Sequence, residues 1–95
     1  MPVEIRYDPK KNAKNIAKRG LSFDRVAEFD FLSATIEVDD RVDYGETRLV
    51  AVGFLNERLH VLCFVETGAD EIRVISFRKA SKSEERKYAQ DKAID

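Results

Sequence analysis

The chain has 95 residues, one domain's worth of polypeptide (1–95), which leaves no room for a two-domain enzyme with a separate cofactor-binding half. With 43% hydrophobic and 37% charged residues it can fill a compact core, and the tight apolar runs 49-LVAVGFL-55 and 59-LHVLCFV-65 argue against disorder. Its formal net charge of −1 hides a segregation: Arg6 to Arg25 carries seven basic residues against two acidic, Val26 to Ile72 three against eleven, and Arg73 to Lys92 seven against three.

In chain order, 4-EIRY-7 reads as a short strand closed by Asp8-Pro9. Asp is a good N-cap and Pro suits the first helical position, so a helix is expected from Pro9 to Arg19, ended by Gly20 as a left-handed cap. Its apolar residues Ala13, Ile16 and Ala17 predict a narrow buried stripe under a wide basic face. Ser22 caps a second predicted helix, 23-FDRVAEFDF-31, with Phe23, Val26, Ala27 and Phe31 on its buried side. After Leu32 the period changes to two, and 34-ATIEVDD-40 predicts a strand with one wet face. An acidic loop, 39-DDRVDYGE-46, leads to 47-TRLVAVGFL-55. A turn at Asn56-Glu57, the run 58-RLHVLCFVE-66, a turn over 67-TGAD-70 and the run 71-EIRVISFRK-79 complete an antiparallel meander. Ser81 and Glu84 have capping-box spacing and open a charged helix to about Lys92. The expected fold is α+β: an antiparallel sheet of four to five strands with two N-terminal helices and one C-terminal helix.

Several chemistries find no support. The glycines at 20, 45, 53 and 68 are scattered and form no phosphate loop. One His, one Cys and dispersed acids do not make a zinc or iron set, and Asp39, Asp40, Asp43 and Glu46 read as a solvated loop rather than a magnesium site. No metal and no cofactor is expected. Cys63 and His60 have opposite parity on one strand, so they make a poor dyad; Cys63 reads as a packed thiol, and His60 as a satisfied strand residue or a general base. No apolar run approaches the ~20 residues that span a bilayer. The start lacks an apolar signal region and the single cysteine fits a reducing compartment, so a cytoplasmic location without membrane contact is expected.

The basic residues are more informative. If the two basic ends meet in space, they make one positive cleft for phosphate, flanked by the N-terminal helix and Arg73 to Lys79; otherwise they are ordinary solvated surfaces. Arg73 interrupts a strongly β-forming run and needs a carboxylate or phosphate partner, Glu46 and Glu66 being candidates. Parity puts Arg73 and Arg78 on opposite faces unless a bulge intervenes or one lies at the strand end.

Four segments then stand in order: 7-YDPKK-11; Asn15 with 18-KRGLSF-23; 45-GETR-48; and 72-IRVISFRKA-80, followed by Glu85-Arg86 and Tyr88. Together, from Ile5 to about Gln90, they resemble the BrnT family of bacterial type II toxin–antitoxin systems. The resemblance implies a RelE-like fold and a small ribonuclease that cuts RNA and arrests growth. It also implies neutralisation by a ribbon-helix-helix antitoxin (BrnA-like), which contacts the operator DNA on the toxin's behalf. Two positions depart from the family: Lys18-Arg19-Gly20 stands where Lys-His-Gly is usual, and Ser76-Phe77-Arg78 where Ser-Ala-Arg is usual.

Metal-free RNA cleavage takes the 2′-hydroxyl as nucleophile, stabilises a doubly charged phosphorane and protonates the 5′-oxygen. Arg48, Arg73 and Arg78 are the expected charge stabilisers, and Glu46 and Tyr88 the acid–base candidates. Arg78 ranks first, because it ends a stiff strand beside Lys79 and a helix N-terminus near Ser81. Lys10, Lys14, Lys18, Arg19 and Lys79 are expected to bind the RNA backbone without reading sequence. The alternative is a non-catalytic module, a decayed toxin that binds RNA or protein through the same faces.

Overall fold

The computed structural model describes residues 3–41 and 43–93; Val42, inside the acidic loop read from the sequence, lies outside them. Five strands form one sheet in the order β1-β5-β4-β3-β2. They are β1 (Glu4–Arg6), β2 (Thr35–Asp39), β3 (Arg48–Leu55), β4 (Arg58–Gly68) and β5 (Glu71–Lys79). The meander β2 to β5 is antiparallel, as the alternation predicts. The sheet as a whole is mixed, because β1 adds to the far side of β5 in parallel, Ile5 opposite Ile72.

Helix α1 (Pro9–Arg19) starts and ends where its caps dictate. The Asp8 carboxylate accepts from the Lys10 N–H at 2.9 Å, and Gly20, at φ 67°, donates its N–H to the Ile16 carbonyl at 2.7 Å. The seat of this helix differs from the expected one. Ala13, Ile16 and Ala17 face solvent, whereas Asn12 and Asn15 turn inward. The Asn12 side-chain oxygen accepts from the Phe23 N–H, and the Asn15 amide donates to the carbonyls of Leu21 and Phe77, all within 2.9 Å. Backbone groups beneath the helix need partners, and two asparagines supply them where a leucine could not.

The second predicted helix is a shorter 3-10 helix, Phe23–Glu28, capped by Ser22. It stops because Phe29 turns extended and pairs with Leu55 at the sheet, which buries Phe29 and leaves Ala27 exposed. Phe23, Val26 and Phe29 pack with Ala51, Leu62 and Phe77 into the main core, between the sheet and these N-terminal segments. Gly53 permits that closure, because a Cβ there would meet Ala34 and Phe29 at 2.9 Å.

The last helix, α2 (Lys82–Ala93), lies on the opposite face of the sheet, over Leu59, Val61, Val50, Val52 and Phe54. Its capping box is formed: the Ser81 N–H donates to Glu84 at 2.8 Å, and the Glu84 N–H to the Ser81 hydroxyl at 3.3 Å. Edge strand β2 departs from the wet-face pattern, since Ile36 and Val38 remain 47% and 59% exposed.

Candidate functional site

The β4–β5 ladder decides which side chains share a face. Cys63 pairs with Ser76 but Phe64 pairs with Val74, so Ile75 is an extra residue on β5. This bulge resets the alternation. Ile72, Val74 and Phe77 all point into the main core, and Arg73 and Arg78 therefore emerge together on the face that α2 only partly covers.

Arg48, on β3, points to the same face. Its guanidinium lies 3.9 Å over the Tyr44 ring and donates through Nε to Glu46 at 3.2 Å. Glu46 bridges the strands by also accepting from Arg73, at 2.7 and 2.8 Å. Its carboxyl is held below the ordinary carboxylate range by Arg73 first and Arg48 second. Beside this trio a cleft of about 580 Å³ is lined by Arg41, Tyr44, Arg48, Cys63, Arg78 and Glu84 among others. Arg41 is engaged by the buried Asp39 carboxylate at 2.8 and 3.0 Å.

Arg78 forms a fork with Glu84, two N–H···O bonds of 2.8 Å, which ties the end of β5 to the first turn of α2. The pair raises the guanidinium pKa and pulls the Glu84 carboxyl down to about 2. Arg73 uses only one terminal nitrogen on Glu46 and is 41% exposed, so it keeps donors facing solvent. Tyr88 is placed differently: its hydroxyl donates to the Ser33 carbonyl at 2.9 Å and its ring meets Phe54 edge to face. The first contact ties α2 to the segment that leads into β2, and the second ties it to β3.

The basic ends of the chain do meet, but not around Arg78. α1 is on the core side of the sheet and Arg78 on the other, so Lys14 and Arg78 do not flank one cleft. What converges is the end of α1 with the end of β5: Lys18, Arg19 and Lys79 line a cleft of about 600 Å³. Lys10 and Lys14 stay exposed along α1. Sequence reasoning missed two further arginines of that cleft, Arg25 and Arg58. Neither stands in a motif, and only the hairpin and 3-10 helix bring them there. His60 and Cys63 face opposite sides of the sheet, and burial pushes the Cys63 thiol pKa up. Among the described residues, no three His, Cys, Asp or Glu side chains cluster as a metal site.

A family model described as the ribonuclease toxin BrnT of a type II toxin–antitoxin system matches residues 7–84. A solved structure, the ribonuclease toxin BrnT of Brucella abortus, superimposes with a TM-score of 0.68 at 36% identity, covering 84% of this chain and 99% of that one. No curated protein matches the chain. Among the described residues, no helix is long and apolar enough to cross a membrane. By the family match and by this likeness, the chain belongs to the BrnT family of ribonuclease toxins of type II toxin–antitoxin systems.

Proposed function

We propose that the whole chain is one toxin domain that cuts RNA without a metal, in the cytoplasm, on the face that carries Arg48, Arg73 and Arg78. The observation that carries this reading is the Ile75 bulge, which puts Arg73 on the same face as Arg78 and against Glu46. In the proposed step the 2′-hydroxyl proton passes to the Glu46 carboxylate while the 2′-oxygen attacks phosphorus. Arg73, with donors to spare, meets the phosphorane oxygens, and Arg48 supports it from its stacked position. The bond to the 5′-oxygen breaks and that oxygen takes its proton from water, leaving a 2′,3′-cyclic phosphate. In this reading Arg73, which keeps free donors, makes the primary phosphate contact, and Arg78, forked onto Glu84, steadies the cleft; the sequence alone favours the opposite order. Tyr88 then acts by holding α2 rather than by moving a proton. Glu46 is a weak base beside two guanidiniums, so turnover on free RNA is expected to be slow.

Lys18, Arg19 and Lys79, with Lys10 and Lys14 further along α1, would hold the RNA backbone. Membership in a type II family implies a protein antitoxin. We take it to be a ribbon-helix-helix protein that reads the operator DNA while the toxin stays off it. Induction of the chain in bacteria should stop growth and degrade bulk RNA, and co-expression of the antitoxin from the neighbouring gene should relieve both. Growth unaffected at full expression would refute the reading.

One observation favours the second reading, a non-catalytic RNA- or protein-binding module. Arg41, Arg48, Arg73 and Arg78 each already have a carboxylate partner. Under that reading the protein binds RNA and leaves it intact.

A further inference from the structure

The arginine face and the cleft at the end of α1 differ in one respect. On the former, every arginine is ion-paired. In the latter, Lys18, Arg19, Arg58 and Lys79 have no carboxylate within ion-pair distance among the described residues, and only Arg25 is engaged, with Glu28. Four unpaired cations around one concavity, with Glu57 the single acid on its wall, select an anion.

The floor adds a feature that charge alone does not need. His60, 4% exposed, stands on the central strand β4 between Gly53 and Lys79, with its ring against Phe77 at 5.4 Å. Its Nδ1 is 2.8 Å from the Arg58 carbonyl. A carbonyl only accepts, so Nδ1 carries the hydrogen and Nε2 of the neutral ring is an acceptor. Burial first, with the charges of Arg58, Lys79 and Arg25 after it, lowers the imidazole pKa despite the opposing hydrogen bond to the Arg58 carbonyl, and so favours the neutral ring. Nε2 has no partner among the described residues, yet no buried side-chain nitrogen or oxygen is left unpartnered. Nε2 is therefore not sealed from solvent, and His60 lines the cleft.

An acceptor at the bottom of a phosphate cleft is unfavourable for a phosphodiester by itself, whose oxygens offer no hydrogen. It becomes favourable when the ligand brings a hydroxyl next to the phosphate, and the ribose 2′-hydroxyl is such a donor. We propose that this cleft is a second RNA-binding site, on the opposite face from the arginine cluster, in which Lys18, Arg19, Arg58 and Lys79 hold the phosphodiester and His60 Nε2 accepts the 2′-hydroxyl. The proposal rests on the ribonuclease reading only in naming RNA as the ligand. No chemistry is assigned to the cleft; it sorts RNA from DNA and holds the strand that the other face cuts.

The test is fluorescence anisotropy of the Arg73→Ala protein, which should cut RNA too slowly to matter during the measurement, with a labelled single-stranded RNA and the DNA of the same sequence. RNA should bind about five- to tenfold more tightly than DNA, the worth of one net hydrogen bond. His60→Leu should bring that ratio to about one without changing DNA affinity, and His60→Gln, which keeps an acceptor, should restore part of it. Lys18→Glu with Arg58→Glu should weaken both ligands and flatten the salt dependence. A ratio indifferent to His60→Leu in a protein that melts normally overturns the proposal and leaves the ribonuclease reading standing. So does a Lys18→Glu, Arg58→Glu protein that keeps its RNA affinity but loses a protein partner. A wild-type protein that cuts no RNA but shows the His60-dependent ratio refutes the ribonuclease reading and supports the cleft.

Discussion

Arg78 and Glu84 face each other through two parallel hydrogen bonds of 2.8 Å, six residues apart across the junction of β5 and α2. The same carboxylate accepts from the Ser81 N–H, so one side chain closes both the capping box and the ion pair. Because the folded pKa of Glu84, about 2, lies below the ordinary value, the pair stabilises the fold above the unfolded pKa of about 4.5 and is lost as pH falls toward 2. Glu84→Gln should cost about 1 kcal/mol at neutral pH, the scale of a half-exposed charge-assisted pair. Urea unfolding between pH 6 and 2.5 should show a flatter stability profile for the variant; parallel profiles would mean that the pair contributes nothing.

Arg78→Ala should lose stability by a similar amount and should also lower activity by disturbing the cleft. Melting and cleavage measured on the same preparation check this. Full stability with lost activity would return Arg78 to the role of direct phosphate contact.

Asn15 holds α1 by donating to two carbonyls, those of Leu21 and Phe77. Asn15→Ala should destabilise the protein by about 1–3 kcal/mol, since it leaves acceptors without partners, and Asn15→Leu should not rescue it. Denaturant midpoints measure the difference, and an Asn15→Leu protein as stable as wild type would mean that the helix is seated by apolar contact after all.

Gly53→Ala would put a methyl at 2.9 Å from the Phe29 ring and the Ala34 side chain. The expected cost is about 1–3 kcal/mol, as for other overpacked sites, read as a lower melting temperature. An unchanged melt would show that the Phe29–Leu55 closure is soft.

Much of the fold is legible in the sequence because its signals are local. Asp8-Pro9, Gly20, Asn56-Glu57 and the Ser81–Glu84 box mark ends that the structure places within a residue or two. What was not legible depends on partners distant in the chain. Parallel pairing of β1 with β5 leaves no pattern in three residues, and Asn12 and Asn15 look like surface until the backbone beneath them is known. The Ile75 bulge leaves no mark in a run of strand-forming residues without Gly or Pro, yet it decides that Arg73 and Arg78 share a face. Individual basic residues were legible as candidates; their division between two faces of the sheet was not.

Cleavage of a labelled RNA by the purified protein in excess chelator, comparing wild type with Arg73→Ala, tests the central claim most directly. The account predicts products with 2′,3′-cyclic phosphate ends and a rate for Arg73→Ala lower by about 10²–10³, as for loss of one positioned donor to a developing oxyanion, with stability lowered by no more than the loss of one half-exposed ion pair, about 1 kcal/mol. Cleavage by Arg73→Ala at the wild-type rate, or wild-type cleavage that stops when metal is removed, would contradict it.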